Sequence, residues 1–221
     1  MIRLMSRAAL VAACLLPLPV LAVDAAVSAA ASVPESNPQV VVQEAIDSLT
    51  ARLVKDRKLF QKNPAALTQF IDSNITPLVD ITGFARGVMG QYYRQASSEQ
   101  RDHFVAVFKQ SMIRTYSNGL AAYNNQKIVV KPWKPGDDMN RASVDVEVSL
   151  ENGTVVPVTF QMMRDGSGAW KARNLIVNGL NLGLTFRKRF ADVVEQAGGN
   201  LDKAIATWSP GQVDVNGKDK S

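Results

Sequence analysis

From Phe104 to Tyr123 apolar and small residues recur at i, i+3 and i+4, and after Asn124-Asn125 the period changes to two. That switch constrains the fold more than any other feature. A 3.6-residue period lays a stripe along one face of a helix, and a two-residue period lays it along one face of a strand. The helical stripe runs through Phe104, Val107, Phe108, Ser111, Met112, Thr115, Tyr116, Gly119, Leu120 and Tyr123. Ser97-Ser98-Glu99-Gln100 opens it as a capping box, with Ser97 as cap and Gln100 at the third position. Beyond the switch, Val144, Val146, Val148 and Leu150 alternate with Ser143, Asp145, Glu147 and Ser149. A chain with both patterns must bury a sheet face against helices.

The rest of the chain fits that plan. Lys127 to Lys131 reads as a first strand and Ala142 to Leu150 as a second. Asn152-Gly153 is a hairpin turn signal. Val156, Val158, Phe160 and Met162 line one face of the next strand, where Pro157 predicts an edge position or a bulge. Trp170 to Asn178 is the last strand, followed by a Gly-Leu-Asn-Leu-Gly loop. Upstream, Asn37-Pro38, Asn63-Pro64 and Thr76-Pro77 are three helix starts. The first helix runs from Pro38 to about Phe60, with Val42, Ile46, Leu49 and Leu53 on its apolar face. Leu67, Phe70 and Ile71 mark the second. Leu78, Ile81, Phe84 and Val88 mark the third, which Gly83, Gly87 and Gly90 interrupt; such a run predicts a close backbone approach or a kink. Leu184 to Gln196 is helical and stops at Gly198-Gly199, and Asn200 caps a short last helix through Leu201, Ile205 and Trp208. The expected fold is α+β: a twisted antiparallel sheet of about four strands, helices packed on one face, and an apolar pocket between them.

The chain of 221 residues is long enough for one domain with a real core. Arg3 and Arg7 followed by the apolar run Ala8 to Leu21 predict a signal peptide over residues 1–22, with Val20-Leu21-Ala22 as the cleavage pattern and Ala25 as the next candidate. Val11-Ala12-Ala13-Cys14 is a weaker, lipobox-like alternative. Residues 23–37 read as a disordered leader, 38–208 as a single domain and 209–221 as a flexible polar tail. Cys14 is the only cysteine, so a processed chain has no disulfide and is held by its core. No later segment is apolar and long enough to span a membrane.

Little in the sequence argues for catalysis. His103 is the only histidine, no cysteine accompanies it in the domain, and no metal-ligand cluster, P-loop, G-x-S-x-G or G-x-G-x-x-G pattern occurs. No cofactor is implied. Asp72 and Asp80 flank a helix start and read as dipole partners or structural acids. The net charge is +5, which falls to +3 without Arg3 and Arg7. A nucleic-acid binder would carry a denser basic stripe. One local run stands out: Arg187-Lys188-Arg189 between Phe186 and Phe190. It reads as a cationic rim for a headgroup, a docking patch, or a solvated helix face.

Three ordered blocks carry a resemblance. Asp80-Ile81 with Ala85-Arg86-Gly87-Val88-Met89-Gly90-Gln91-Tyr92-Tyr93 is the first. Ser98-Glu99-Gln100-Arg101 with Phe104, Phe108, Thr115-Tyr116 and Leu120 is the second. Trp170-Lys171, Asn178-Gly179-Leu180 and Phe186-Arg187 with Phe190 form the third, and Leu201-Asp202 follows Gly198-Gly199. Together they resemble the MlaC-type family, also called the toluene-tolerance or ABC-transporter auxiliary family, over residues 38 to 208. The resemblance implies a phospholipid carrier of the Gram-negative periplasm. It would pass lipid between an outer-membrane lipoprotein complex and an inner-membrane ABC transporter and so maintain outer-membrane asymmetry. Acyl chains would lie between sheet and helices. On that footing the candidate lipid-lining residues on the helices are Ile81, Phe84, Val88, Tyr92, Phe104, Phe108, Met112 and Tyr116, with Phe186 and Phe190. From the sheet and its exit they are Val144, Val146, Val148, Val158, Phe160, Met162, Trp170, Val177 and Leu180. Arg187, Lys188 and Arg189 are the candidates for headgroup rim or partner docking. Two other readings stay open: an enzyme with a cone-shaped apolar pocket, which would need Asp145 to face inward, and an adaptor with a filled core and no cavity.

Overall fold

The computed structural model describes residues 37–213 and 219–220. The signal-peptide and leader readings lie outside these residues, apart from Asn37. The chain runs α1 (Pro38–Lys55), α2 (Arg57–Lys62), α3 (Pro64–Asn74), a 3-10 turn (Thr76–Leu78), α4 (Ile81–Met89), a second 3-10 turn (Gly90–Arg94) and α5 (Ser98–Ala121). Strands β1 (Lys127–Val130), β2 (Arg141–Ser149), β3 (Val155–Arg164), β4 (Trp170–Val177) and β5 (Leu180–Asn181) follow, then α6 (Leu182–Gln196) and α7 (Leu201–Thr207). Gln212–Val213 (β6) pairs with Asp219–Lys220 (β7) in a separate two-stranded ribbon.

The main sheet is an antiparallel meander in the order β1-β2-β3-β4-β5. It has five strands where about four were expected. The extra one is β5, in the stretch read as a loop. Asn178 and Gly179 have φ of 48° and 83°, which suits a tight two-residue hairpin turn. Register places Val144 opposite Phe160, Val146 opposite Val158, Phe160 opposite Leu175 and Val158 opposite Val177. These side chains share the helix-covered face. Asp145 and Glu147 fall on the other face, where Thr159 Oγ1 donates to Asp145 at 2.6 Å and Lys131 pairs with Glu147 at 2.6 Å.

Pro157 sits neither on an edge strand nor at the bulge. Leu150 N–H donates to Thr154 at 2.8 Å, and pairs alternate from there, so Pro157 and Glu147 form a pair that exchanges no bonds. The nitrogen of Pro157 therefore points away from β2, toward the end of β4, where the Pro157 carbonyl accepts from Asn178 N–H at 2.8 Å. The bulge lies further on. Gln161 faces Asn174 but Met162 faces Ala172, which leaves Arg173 as the extra residue of β4.

Two helix boundaries differ from expectation. The first helix breaks at Asp56, which pairs with Arg52 one turn back. The break turns Phe60 onto Phe70, with ring centroids 6.0 Å apart. Thr76-Pro77 starts only a 3-10 turn; α4 begins after Asp80, whose side chain accepts from Gly83 N–H at 2.8 Å. The capping box holds in both directions, with Gln100 N–H to Ser97 Oγ at 3.2 Å and Ser97 N–H to Gln100 Oε1 at 3.1 Å. Packed structure continues past residue 208: Pro210 is buried and the Gly211 carbonyl accepts from Tyr116.

Three buried clusters hold these elements. Val42 of α1 packs with Val144, Val146, Met162 and Trp170 of the sheet. Leu53, Phe60, Leu67, Ile71 and Ile113 join α1, α2 and α3 to α5. The largest joins α4, α5, α6 and α7 through Phe84, Val88, Phe104, Phe108, Phe186, Phe190 and Trp208. Phe104 stands at its centre, 4.7 Å from the Phe190 ring, 5.3 Å from Trp208 and 6.1 Å from Phe108. Phe104→Ala is expected to cost about 3–5 kcal/mol of stability, read from the urea midpoint. A loss below about 1 kcal/mol, well short of that cavity cost, would mean the rings are not packed as described.

Candidate functional site

The two sets of helices do not cover the whole inner face of the sheet. α1 covers β2 and the first half of β4. The α4–α7 cluster meets the sheet at Leu175, Val177 and Leu180. Between them lies a cavity of about 430 Å³, within the usual span for small-molecule sites. Its floor is Val158, Leu175 and Val177. Ile71, Ile75, Thr76 and Val79 form one wall, Ile81, Phe84 and Leu182 a second, and Phe108, Met112, Ile113, Tyr116, Ser117 and Leu120 of α5 a third. A smaller apolar space of about 110 Å³ lies under α1, lined by Phe160, Met162 and Ala172 among others. Ile75 and Val79 border both spaces and form the partition between them.

Polar groups at the larger cavity are few and mostly engaged. Ser117 Oγ donates to the Ile113 carbonyl at 2.5 Å. Lys109 is the one charged side chain among the lining residues, and its Nζ lies 3.1 Å from Asp72 of α3. Lys109 keeps 31% of its side chain exposed, so the pair marks the rim. Tyr116 donates its hydroxyl to the Gly211 carbonyl at 3.2 Å. Burial pushes the Tyr116 phenol above its ordinary pKa, and the nearby Arg189 charge opposes that shift. Asp145 and Glu147 stand on the outer face of the sheet, away from the cavity. His103 is exposed, and among the described residues no group of three His, Cys, Asp or Glu could hold a metal.

Of the candidate lining residues, the cavity brings together Ile81, Phe84, Phe108, Met112, Tyr116, Val158 and Val177. Phe160 and Met162 line the smaller space. Val88, Phe104, Phe186 and Phe190 instead fill the helical core, with Leu180 packed at its edge. Val144, Val146 and Trp170 are buried under α1, with Val148 packed against them. Tyr92 packs edge-on against Phe190, centroids 5.9 Å apart, and lines an outer groove. A periodic stripe tells which face is covered, not whether helix or cavity covers it. Sequence reasoning missed Ile71, Ile75, Val79, Ile113, Leu120, Leu175 and Leu182. Leu175 was legible from its parity with Val177. Ile113 belongs with Ser117 to a second α5 stripe, one position off the stripe that was read, while Leu120 lies on the stripe itself.

The Arg187-Lys188-Arg189 run splits. The Arg189 guanidinium lies against Gly211 and would have to shift to admit a Cβ there. Arg187 and Lys188 point the other way, into an open groove of about 1140 Å³ between α4, α6 and β4. Phe84 is the one residue lining both this groove and the apolar cavity.

Comparison with known proteins decides the family. A family model described as MlaC protein matches residues 43–210. The chain belongs to the MlaC family. It is 39% identical to toluene tolerance protein ttg2D of Pseudomonas putida over 179 residues, 80% of this chain and 82% of that protein. It is 27% identical to the intermembrane phospholipid transport system binding protein MlaC of Haemophilus influenzae over 153 residues, 68% of this chain and 72% of that one. Among solved structures it resembles the phospholipid-binding protein of Ralstonia solanacearum in complex with a phospholipid. The TM-score is 0.71 at 29% identity, over 77% of this chain and 94% of that chain.

Within this MlaC-family fold the cavity and the closed core under α1 predict different mutant behaviour. Met112→Trp should fill the cavity and leave the thermal midpoint within a few degrees, a shift of about 1 kcal/mol or less. Val146→Trp, inside a closed core, should cost about 1–3 kcal/mol by overpacking. Equal destabilisation by both would mean that Met112 faces no space. The burial of the Tyr116 phenol predicts a pH effect. Because the folded phenol is raised above the ordinary value near 10, its contribution is full below that pH and is lost as pH rises through the folded pKa. Tyr116→Phe should cost about 1 kcal/mol at neutral pH and flatten the alkaline loss. An unchanged alkaline slope would refute the assignment.

Proposed function

We propose that this protein is a periplasmic phospholipid carrier that passes lipid between an outer-membrane complex and an inner-membrane ABC transporter, and so maintains outer-membrane lipid asymmetry. The observation that carries the reading is the hydrocarbon-lined cavity between sheet and helices, in a chain whose structural relative holds a phospholipid. Each buried CH₂ is worth about 0.8 kcal/mol, so a free lipid tail in water is prohibitively costly. A dry slot recovers much of what the bilayer offers, which makes transfer between membranes near-neutral. Met112 in the wall can adapt to different tails. A buried unpaired phosphate would be expensive, so the headgroup stays at the rim. Lys109 stands there as its cation, exchanging Asp72 for the phosphate diester.

The enzyme reading loses its acid, because Asp145 and Glu147 face outward. The adaptor reading requires a filled interior, and the cavity speaks against it. No helix among the described residues is long and apolar enough to cross a membrane, which suits a carrier that leaves one bilayer for another.

Native mass spectrometry of the protein purified from cells without detergent, followed by solvent extraction, tests the proposal. Phospholipid at discrete stoichiometry is the expected result, and Met112→Trp should carry less. A lipid-free wild type under these conditions would sink the carrier reading. Lys109→Glu should lower lipid retention several-fold in vesicle competition, in line with the 1–3 kcal/mol of a charge-assisted bond. Retention equal to wild type would remove Lys109 from the headgroup.

A further inference from the structure

A second concavity, larger than the apolar cavity, is the open groove of about 1140 Å³ on the opposite side of α4. Six cations line it: Arg86, Arg94, Arg141, Arg173, Arg187 and Lys188. They come from α4, the Gly90–Arg94 turn, β2, β4 and α6. No carboxylate is among the lining residues. Arg173 pairs with Asp80 at 3.6 Å and Arg141 with Asp138 at 3.3 Å. Arg86, Arg94, Arg187 and Lys188 have no ion pair among the described residues. Like charges gathered in this way repel one another unless something neutralises them.

The glycines of α4 form the floor. A Cβ on Gly87 would meet nothing within 4 Å, so the helix is bare there rather than tightly packed. Arg187 lies across this bare stretch, its Nε donating to the Gly87 carbonyl at 2.7 Å and its Cδ 3.1 Å from where a Cβ of Gly90 would stand. Asn174, Gln161 and Asn181 line one wall; Asn174 donates to the other two, so the amides left for a ligand are those of Gln161 and Asn181. The groove continues past Arg141 and Arg173 toward Asp137 and Asp138, which would repel an anion at that end.

We infer that this groove is a docking site for an acidic, extended polypeptide segment of a partner protein, held between α4 and α6 with its carboxylates on Arg86, Arg94, Arg187 and Lys188. The inference rests on the carrier reading only for its purpose, since a carrier must be received by other proteins at each end. Shape selects the occupant. A bilayer surface is broad and meets protruding cations, whereas these cations line a trough with a bare backbone floor. A narrow chain can enter it and use the amide wall for its own backbone.

The test uses the full mature protein and a labelled, short Glu/Asp-rich peptide in fluorescence anisotropy. Wild type should bind it, more weakly as salt rises. Arg94→Glu with Lys188→Glu should weaken binding by about tenfold or more, or 1.4 kcal/mol. Gly87→Leu should weaken it as well, by filling the floor with the charge unchanged. Peptide binding by Gly87→Leu equal to wild type would overturn the groove, and so would indifference to the double reversal. Phosphatidylglycerol vesicles that bind wild type and Gly87→Leu alike, with no peptide binding, would overturn it in favour of a membrane surface. Co-purified phospholipid is measured on the same samples and should be equal in all of them. A lipid-free wild type would refute the carrier reading and leave the peptide result standing on its own.

Discussion

The interaction on which the structure depends is the packing of aromatic rings among four helices. Phe84, Phe104, Phe108, Phe186, Phe190 and Trp208 meet with centroids between 4.7 and 6.3 Å apart. Rings at these spacings contribute both area and preferred geometry. They bind α4–α7 into one block. A block that closes on itself can stand off from the sheet at one place without collapsing onto it. The cavity at Val158, Leu175 and Val177 is that place. An apolar space of this kind, left unfilled, is costly in an ordinary core because its lining atoms lack partners. Here the rings on one side and α1 on the other supply the stability that the space itself does not.

The block is tied to the sheet by a polar hub at the β4 bulge. Asp80 N–H donates to the Ala172 carbonyl at 2.9 Å, Asp80 caps α4, and Arg173 reaches the same carboxylate. One residue on, Asn174 accepts from Gly183 N–H at 2.9 Å and donates to Gln161 and Asn181 at 2.7 and 2.9 Å. The extra residue of the bulge lets two adjacent polar side chains serve two helix starts at once. Glycine at 83 and 183 is required here, because a Cβ would stand 2.0 Å from Asp80 and 2.8 Å from Asn174. The glycine run read as a close backbone approach or a kink is an approach at Gly83 and an open floor at Gly87.

The sequence made the elements legible because their periods are strong. The switch after Asn124-Asn125 gave helix then meander, and Ser97 to Gln100 gave the start of α5. β5 was not legible, since two residues have no period, although Asn178-Gly179 carried the turn signal. The site was only half legible. Phe104 and Phe108 lie on the same stripe, yet only Phe108 reaches the cavity. The difference is set by where α6 and α7 come to rest, through contacts more than eighty residues away in the chain. Ile75 and Val79 were passed over because they sit between helices, where no pattern marks a face. Arg187 and Arg189 are two positions apart on α6, so helical geometry alone sends them to different sides.

α4 separates two unlike environments, and its sequence is written for both. Ile81 and Phe84 turn hydrocarbon to the cavity, while Gly87 turns bare backbone to the cationic groove. Only Phe84 touches both, and it is held by Phe108 at 5.1 Å and Phe186 at 6.3 Å. A flexible side chain at that position would let groove and cavity communicate by rotamer changes alone. A buried phenyl ring in a packed cluster does not move without its neighbours. Under the carrier reading, any influence of a docked segment on bound lipid must therefore travel as a shift of α4 against the β4 hub. The hub is built for a small shift rather than a large one. Arg173 and Asp80 are each about one-third exposed, so water can replace their pairing at little cost, whereas the buried rings behind α4 cannot part so easily.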